Sequence, residues 1–156
     1  MIKIINYFLI PVIIFLTAYC GGVITNRGLS WYKKIKLPSF TPPEYFIGFA
    51  WTIIFILLAV SIIIAAIGLS GNAFLWLMAL FILNLILNFS WSSLFFGRHL
   101  LGLAAFESLL LEFSIFALIV YIWPSSMLAA ALLFPYAGWV AFATILTYLI
   151  WSLNRN

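Results

Sequence analysis

The chain has 156 residues, of which 67% are hydrophobic and only 6% are charged, and its mean hydropathy is +1.28. A water-facing surface needs about a quarter to a third of charged residues, so this composition excludes a soluble globular domain. The formal net charge of +4 would favour nucleic acid as a partner of a soluble protein. In a membrane protein it reflects the sorting of loops across the bilayer, so we expect a lipid bilayer and no nucleic acid as partner.

The N-terminal apolar run has two interpretations. Lys3, followed by apolar residues up to Cys20, is typical of a secretory or lipoprotein signal. However, Tyr19 stands where lipoprotein processing requires a small residue, and the apolar run continues to Thr25, beyond the length of a signal segment. We therefore interpret it as a membrane span. The single cysteine excludes an intrachain disulfide and argues against a zinc cluster, so we expect no metal site.

Five segments are apolar over the roughly 20 residues that cross a hydrocarbon core. They are residues 4–25, 44–67, 73–96, 100–122 and 126–153. None shows the alternation of apolar and polar positions that is typical of barrel strands. The connections between the last four segments are short, which favours antiparallel neighbours. The sequence thus predicts an all-α integral membrane protein, with residues 1–156 forming a single domain of five transmembrane helices.

Basic residues are distributed unevenly between the two ends of this predicted bundle. Lys3 alone lies at the N-terminal end. The opposite end carries the others, which are Arg27, Lys33, Lys34, Lys36, Arg98 and Arg155. Because Lys and Arg prefer the cytoplasmic side, we expect the first loop and the C-terminus in the cytoplasm and the N-terminus outside.

The first connection, residues 26–43, is long and rich in proline. Pro38, Pro42 and Pro43 restrict the backbone and stiffen it. Its aromatic residues either lie in the headgroup layer as an aromatic belt or close the mouth of a cavity between helices, and the sequence leaves both open. Glu44 is interpreted as structural, because a carboxylate in a first helical turn faces the positive end of the helix.

One face of the third segment combines amides with aromatic rings. Its residues, at i, i+4, i+7, i+8 and i+11, are Asn84, Asn88, Trp91, Ser92 and Phe95. Because amides in hydrocarbon need partners, this face cannot contact lipid. It either forms hydrogen bonds between helices or is the wall of a pocket in which Asn orients a ligand and Trp stacks on it.

Two other segments carry comparable faces of aromatic and small residues. The second segment contributes Gly48, Trp51, Thr52 and Phe55. The fifth contributes Tyr136, Trp139, Ala143 and Thr147. Pro135, in the same segment, is expected to bend the helix. Binding sites in bundles are mostly apolar with a few placed polar groups, so these faces favour a pocket for a large, flat, hydrophobic ligand.

Glu107 and Glu112 lie within the fourth segment, where carboxylates are candidates for functional groups. They are five residues apart, about 140° around the helix, so they do not form an acid–base pair. Each is either functional or protonated and hydrogen-bonded, and Arg98 or His99 could approach Glu107. The sequence contains no recognisable nucleophile pair or phosphate loop, which argues against conventional enzyme catalysis.

Four blocks of residues, in order along the chain, carry a family resemblance. They are Trp31-Tyr32 with Pro38-Ser39-Phe40-Thr41-Pro42-Pro43, then Gly48-Phe49-Ala50-Trp51, then Asn88-Phe89-Ser90-Trp91 leading to Phe95-Phe96-Gly97, and finally Pro135-Tyr136, Trp139, Ala141-Phe142-Ala143-Thr144, Leu146-Thr147-Tyr148, Trp151 and Asn154. With these blocks the chain resembles the TspO/MBR family, the translocator proteins once called peripheral-type benzodiazepine receptors. The resemblance covers residues 28–154.

The resemblance implies a five-helix protein, often a homodimer, with a cavity under the first loop, and a bacterial member would lie in the cytoplasmic membrane. Family members bind porphyrins such as protoporphyrin IX and haem, so we expect a porphyrin as ligand and no obligatory cofactor. By position the cavity would be lined by Trp51, Asn88, Trp91, Trp139 and Ala143. The helix faces described above add Gly48, Asn84, Phe95 and Tyr136. Trp31 and Pro42 would belong to the lid.

The sequence departs from the family pattern in the loop. Leu37-Pro38 stands where Lys-Pro is usual, with a lysine one position earlier at Lys36, and Phe40 replaces a frequent Trp. We therefore do not expect this protein to make a lid contact that other family members make through that lysine or indole. Six residues lie between Tyr148 and Arg155, one more than the proposed cholesterol motif allows, so we do not predict sterol binding.

Three functions are compatible with these observations. They are a porphyrin-binding receptor or sensor, a light-dependent porphyrin-degrading enzyme in which Trp51 and Trp139 would be catalytic, and a transporter of porphyrin or another small molecule. Transporters tend to use repeats and broken helices, and only Pro135 indicates a break, so we favour the receptor. Ser93 and Gly97 have small-xxx-small spacing, which makes them candidates for the expected homodimer contact.

Overall fold

A computed structural model describes residues 2–155, with side chains from Tyr7 to Arg155, as a bundle of α-helices. The helices are α1 Ile2–Tyr32, α2 Glu44–Gly68, α3 Gly71–Ser92, α4 Leu101–Ile122, α5 Met127–Ala131 and α6 Phe134–Asn154. Within the described residues there is no strand. In the same range, the helical segments long and apolar enough to cross a membrane are Tyr7–Tyr32, Glu44–Gly68, Gly71–Gly97, Leu101–Ile122 and Met127–Asn154. The predicted fold class, an all-α membrane bundle of five spans, is confirmed.

α1 continues to Tyr32 instead of ending near residue 25, so the first connection is reduced to residues 33–43. The helix passes through Gly28 because tertiary packing outweighs the low helix propensity of glycine. A Cβ at Gly28 would lie 2.7 Å from the backbone oxygen of Phe96, so only glycine lets α1 pass this close to the end of the third span. Tyr32, in the last turn, is buried with its ring against that of Phe96.

A wider helical turn, Ser93–Gly97, ends the third span. Arg98 donates its N–H to the carbonyl of Ser93 at 2.9 Å, five residues back instead of four, which is the pattern of a π turn. His99 follows in the left-handed region with φ of 58°. Its ring stacks on that of Trp31, with 3.9 Å between centroids. This turn therefore ties the end of the third span to the end of α1.

The fifth span consists of two helices, which corrects the prediction of one bent helix. α5 ends at Ala131 and α6 begins at Phe134, with Pro135 in its first turn. A proline is tolerated there because its missing N–H would have no partner within the helix. Ser61 of α2 donates its hydroxyl to the carbonyl of Ala129 at 2.7 Å, which fixes α5 against α2.

The half of the bundle distant from residues 33–43 contains a closely packed apolar core. Its fully buried members, from α2 to the residue that precedes α6, include Leu58, Ile62, Leu77, Ile115, Leu118, Ile122, Ala129, Ala130 and Leu133. In lipid such a core is held by van der Waals packing, since the surrounding solvent is equally apolar. In the other half, α1, α2, α3 and α6 surround an open space.

We expect Gly28→Ala to destabilise the bundle, although alanine is the better helix former. The added Cβ would lie 2.7 Å from the oxygen and 2.8 Å from the Cβ of Phe96, and overpacking of this kind costs about 1–3 kcal/mol. Thermal unfolding of the protein in detergent, followed by circular dichroism, measures the effect. Gly22→Ala is the matched control, since no described atom lies within 4 Å of the added carbon there. A Gly28→Ala protein as stable as this control would contradict the close contact.

Candidate functional site

A cavity of about 520 Å³ lies between α1, α2, α3 and α6, in the half of the bundle next to residues 33–43. Its volume is within the range of about 300–1,000 Å³ that small-molecule sites occupy. The residues that line it come from the second half of α1, the first half of α2, the end of the third span and the later turns of α6. In an antiparallel bundle these stretches lie at one end, so the cavity is confined to that end.

α1 supplies one wall of the cavity, and this contribution was not predicted. Its lining residues are Thr17, Ala18, Gly21, Gly22, Thr25, Asn26, Leu29 and Tyr32. Most are small or polar, and they recur at intervals of three or four residues, so they share one face of the helix. That stripe is the signal from which this wall could have been predicted.

A second wall comes from α2. Its lining residues include Gly48, Trp51, Thr52 and Phe55. The centroid of the Trp51 ring lies 5.6 Å from that of Phe55 and 6.1 Å from that of Tyr136, which holds the indole in place. The Thr52 hydroxyl donates to the carbonyl of Gly48 at 2.9 Å and is therefore satisfied. No described atom lies within 4 Å of a Cβ built at Gly48, so a side chain there would enter open space.

The third span supplies another aromatic wall of the cavity. It contributes Asn88, Trp91, Ser92, Phe95 and Phe96. The Trp91 ring stacks on Phe95, with 5.1 Å between centroids and 19° between planes. Trp31, one of the predicted lid residues, is outside this lining and meets Phe95 edge-on at 5.9 Å. Trp31 thus supports the wall from behind.

The fourth wall is α6. Its lining residues are Trp139, Phe142, Ala143, Leu146, Thr147 and Ile150. The Trp139 ring lies 6.1 Å from Phe46 and 5.7 Å from Phe142 between centroids. The Thr147 hydroxyl donates to the carbonyl of Ala143 at 2.7 Å. The indoles of Trp51, Trp91 and Trp139 therefore line one cavity from three helices.

Asn84 and Tyr136, two other candidates for ligand binding, lie behind the wall in a chain of hydrogen bonds. Asn88 Nδ2 donates to Tyr136 Oη at 3.1 Å, and Tyr136 Oη donates to Asn84 Oδ1 at 3.2 Å. Asn84 Nδ2 then donates to Ser114 Oγ at 2.8 Å. These hydrogen bonds connect α3, α6 and α4 and give the buried amides the partners they need in hydrocarbon. Of these residues only Asn88 lines the cavity, and Tyr136 fixes its amide.

The loop, residues 33–43, borders the cavity without lining it. Pro42 lies in a second, shallower crevice of about 640 Å³ under the loop. Tyr32, Glu44 and Tyr45 line both the crevice and the cavity, so the two spaces adjoin. The loop is thus placed at the margin of the site.

One ion pair lies at this margin among the described residues. Lys33 Nζ is 3.6 Å from Glu44 Oε1, and both side chains are exposed to a large extent. Such exposed pairs contribute little to stability. Glu44 occupies the first turn of α2 as predicted, and the pair joins the end of α1 to the start of α2.

Glu107 and Glu112 of α4 do not line the cavity. Glu107 is only 6% exposed, and within the described residues neither of its carboxyl oxygens has a hydrogen-bond partner. His99, which was considered as its partner, stacks on Trp31 instead.

The walls carry aromatic rings, small residues, hydroxyls and the amides of Asn26 and Asn88, and the carboxylate of Glu44 at the margin is paired with Lys33. This lining suits the stacking and burial of a ligand better than acid–base chemistry.

The sequence model of the TspO/MBR family matches residues 8–152. Tryptophan-rich protein TspO of Archaeoglobus fulgidus is 37% identical over 143 residues, covering 87% of this chain and 88% of that protein. Translocator protein of Homo sapiens is 32% identical over 135 residues, covering 85% and 80%. Protein CrtK of Rhodobacter capsulatus is 30% identical over 134 residues, covering 85% and 83%. These matches and the five apolar spans confirm the predicted resemblance: the chain is a multi-pass integral membrane protein that belongs to the TspO/MBR family.

Proposed function

We propose that this protein is a membrane receptor that binds a porphyrin, such as protoporphyrin IX or haem, in the cavity between α1, α2, α3 and α6. The observation that carries the proposal is the position of Trp51, Trp91 and Trp139 around one cavity. Aromatic rings stack or meet edge to face at centroid distances of about 4.5–7 Å, and each such pair contributes about 0.5–1.5 kcal/mol beyond burial. A ligand with a wide conjugated face gains the most from several indoles.

The smaller lining residues favour a flat ligand. Gly22 and Gly48 leave open space beside their backbones, and Ala143 adds little bulk to α6. Most polar lining groups are hydroxyls of threonine and serine, and the amide of Asn88 is oriented by a buried partner, Tyr136. Ligand sites of this kind use burial for affinity and a small number of polar groups for orientation.

The charges at the loop end suit the carboxylates of a porphyrin. Lys33 and Lys34 are exposed beside the margin of the cavity, and Glu44 is paired with Lys33. A porphyrin seated with its ring among the indoles would direct its carboxylates toward these cations. The attraction is screened by salt, so it assists capture more than it adds affinity.

A receptor fits the architecture better than a transporter. The cavity occupies one end of the bundle, and the other end is filled by buried residues such as Leu58, Leu77 and Leu118. A transporter alternates access to both sides of the membrane around a central site. The packed end would have to open for passage, whereas binding requires no such change.

We expect Trp51→Phe and Trp139→Phe each to weaken protoporphyrin IX binding about three- to tenfold, because each replaces an indole by a smaller ring. The change in porphyrin absorbance on titration of the detergent-solubilised protein measures the dissociation constant. Trp76→Phe is the matched control, since the Trp76 side chain is on α3, 65% exposed and outside the cavity lining. Unchanged affinity in both cavity variants would remove the assignment of the site.

We expect Gly48→Leu to reduce porphyrin affinity more than tenfold, because the added side chain would occupy space beside the Trp51 wall. Gly138→Leu introduces the same side chain on α6, at a position outside the cavity lining that also has no described atom within 4 Å of the added Cβ. Titrations of the two variants, with circular dichroism to verify folding, make the comparison. If Gly48→Leu binds as tightly as Gly138→Leu, the ligand does not lie against α2.

A second candidate function is light-dependent breakdown of the porphyrin, favoured by Trp51 and Trp139 lining the same cavity. Both indoles would lie beside a photoexcited ring with dioxygen as oxidant. We expect illumination of the complex in air to yield a distinct product, more slowly in Trp51→Phe and Trp139→Phe. Absorbance and product analysis over time measure the reaction. Decay at the same rate as free porphyrin in detergent would reject this candidate.

A further inference from the structure

The last turn of α6 holds the loop through a single side chain. Asn154 Oδ1 accepts the backbone N–H of Lys36 at 3.0 Å, and Asn154 Nδ2 donates to the backbone carbonyl of Lys36 at 2.9 Å. The same nitrogen donates to the carbonyl of Ile150 at 2.8 Å, one turn earlier in α6. The carboxamide thus pairs with both polar groups of one loop residue while it is fixed to its own helix.

The other hydrogen bonds described for residues 33–43 are local. The backbone N–H groups of Lys33 to Ile35 bond three or four residues back, and both the N–H and the hydroxyl of Thr41 donate to the carbonyl of Pro38. These bonds shape the loop but do not attach it to a distant helix. Among the hydrogen bonds of the described loop, the pair at Asn154 is therefore the connection to α6.

The side chains on either side of Lys36 place the loop against the cavity wall. Ile35 and Leu37 pack against an apolar cluster that includes Leu146 and Ile150. Leu146 and Ile150 also line the cavity. Attachment at Lys36 consequently keeps the loop on the outer side of the α6 wall.

The prolines stiffen the part of the loop that follows Lys36. Pro38, Pro42 and Pro43 fix φ and restrict the residues before them, so the second half of the loop moves as a stiff segment. The C-terminal end of this stiff segment is continuous with α2, and Glu44 at the start of α2 pairs with Lys33. Release at Lys36 would leave the other end of the segment on α6 through apolar contacts alone, those of Leu37 and of Phe40 with Phe142.

We propose that Asn154 is a positioning residue that latches the loop at the margin of the cavity and so sets the rate at which the bound molecule exchanges. This inference rests on the proposed function, since it assigns the latch to the same site. Asn154 does not line the cavity. Loss of the latch should therefore raise the fraction of open protein both with and without ligand, so association and dissociation accelerate together while affinity changes little.

Stopped-flow mixing of the full-length protein in detergent with protoporphyrin IX tests the latch. In Asn154→Ala we expect both rate constants to rise about tenfold with a dissociation constant within about twofold of the original, because two backbone hydrogen bonds to the loop are lost. Asn154→Asp keeps the acceptor for the Lys36 N–H but sets a carboxylate oxygen against the carbonyls of Lys36 and Ile150, so its rates should rise at least as much. Ser152→Ala, on the same helical turn, is the control and should leave both rates unchanged.

Hydrogen exchange without any ligand provides an independent measurement. In Asn154→Ala we expect faster exchange of the Lys36 amide and of the peptide covering residues 33–43, with unchanged exchange in the middle of α6. A wild-type protein that binds no porphyrin would refute the proposed function while this exchange still reports on the latch. Unchanged rates and exchange in Asn154→Ala would refute the latch, and so would a rise in dissociation alone, which marks a direct ligand contact.

Discussion

A series of hydrogen bonds across the middle of the bundle separates its closely packed half from the half that contains the cavity. Asn88, Tyr136, Asn84 and Ser114 connect α3, α6 and α4, and in hydrocarbon the buried amides could not be left without partners. Beyond this series the helices pack into a continuous core, and before it they separate around the cavity. The Tyr136 ring also meets the Trp51 ring edge-on. Tyr136 therefore takes part in the hydrogen bonds at the edge of the core and also orients the Trp51 indole of the cavity wall.

Hydropathy was sufficient to predict the fold, and helical spacing identified the faces of α2, α3 and α6 that line the cavity, although for α3 it left hydrogen bonding between helices as an alternative. The spans are apolar over a length that only a membrane helix requires, and the face with Trp51, like that with Trp139, was recognisable because indoles recur beside small residues. The same reasoning could not separate Asn84 from Asn88. They lie on one face of α3, one turn apart, and only the partners on other helices decide that Asn88 reaches the cavity while Asn84 is enclosed by Tyr136 and Ser114.

The end of α1 shows a second limit of sequence reasoning. Gly28 and the polar residues around it are typical of a loop, yet the chain there is helical because Gly28 allows contact with the backbone of Phe96. A glycine that is required by close contact with Phe96, at the end of another span, cannot be recognised from the local sequence pattern. This error concealed the α1 wall and placed Trp31 in a loop, although it lies on a helix and stacks on His99. Pro135 indicated a bend or break in the fifth span but not its division into two helices, because proline starts a helix as readily as it bends one.

The last turns of α6 take part in both the cavity and the attachment of the loop. Ile150 lines the cavity with its side chain, and its carbonyl accepts a hydrogen bond from Asn154. Asn154 in turn holds both backbone groups of Lys36 in the loop. The wall of an apolar cavity and the attachment of an exposed loop thus share one turn of α6, and neither involves the packed end of the bundle.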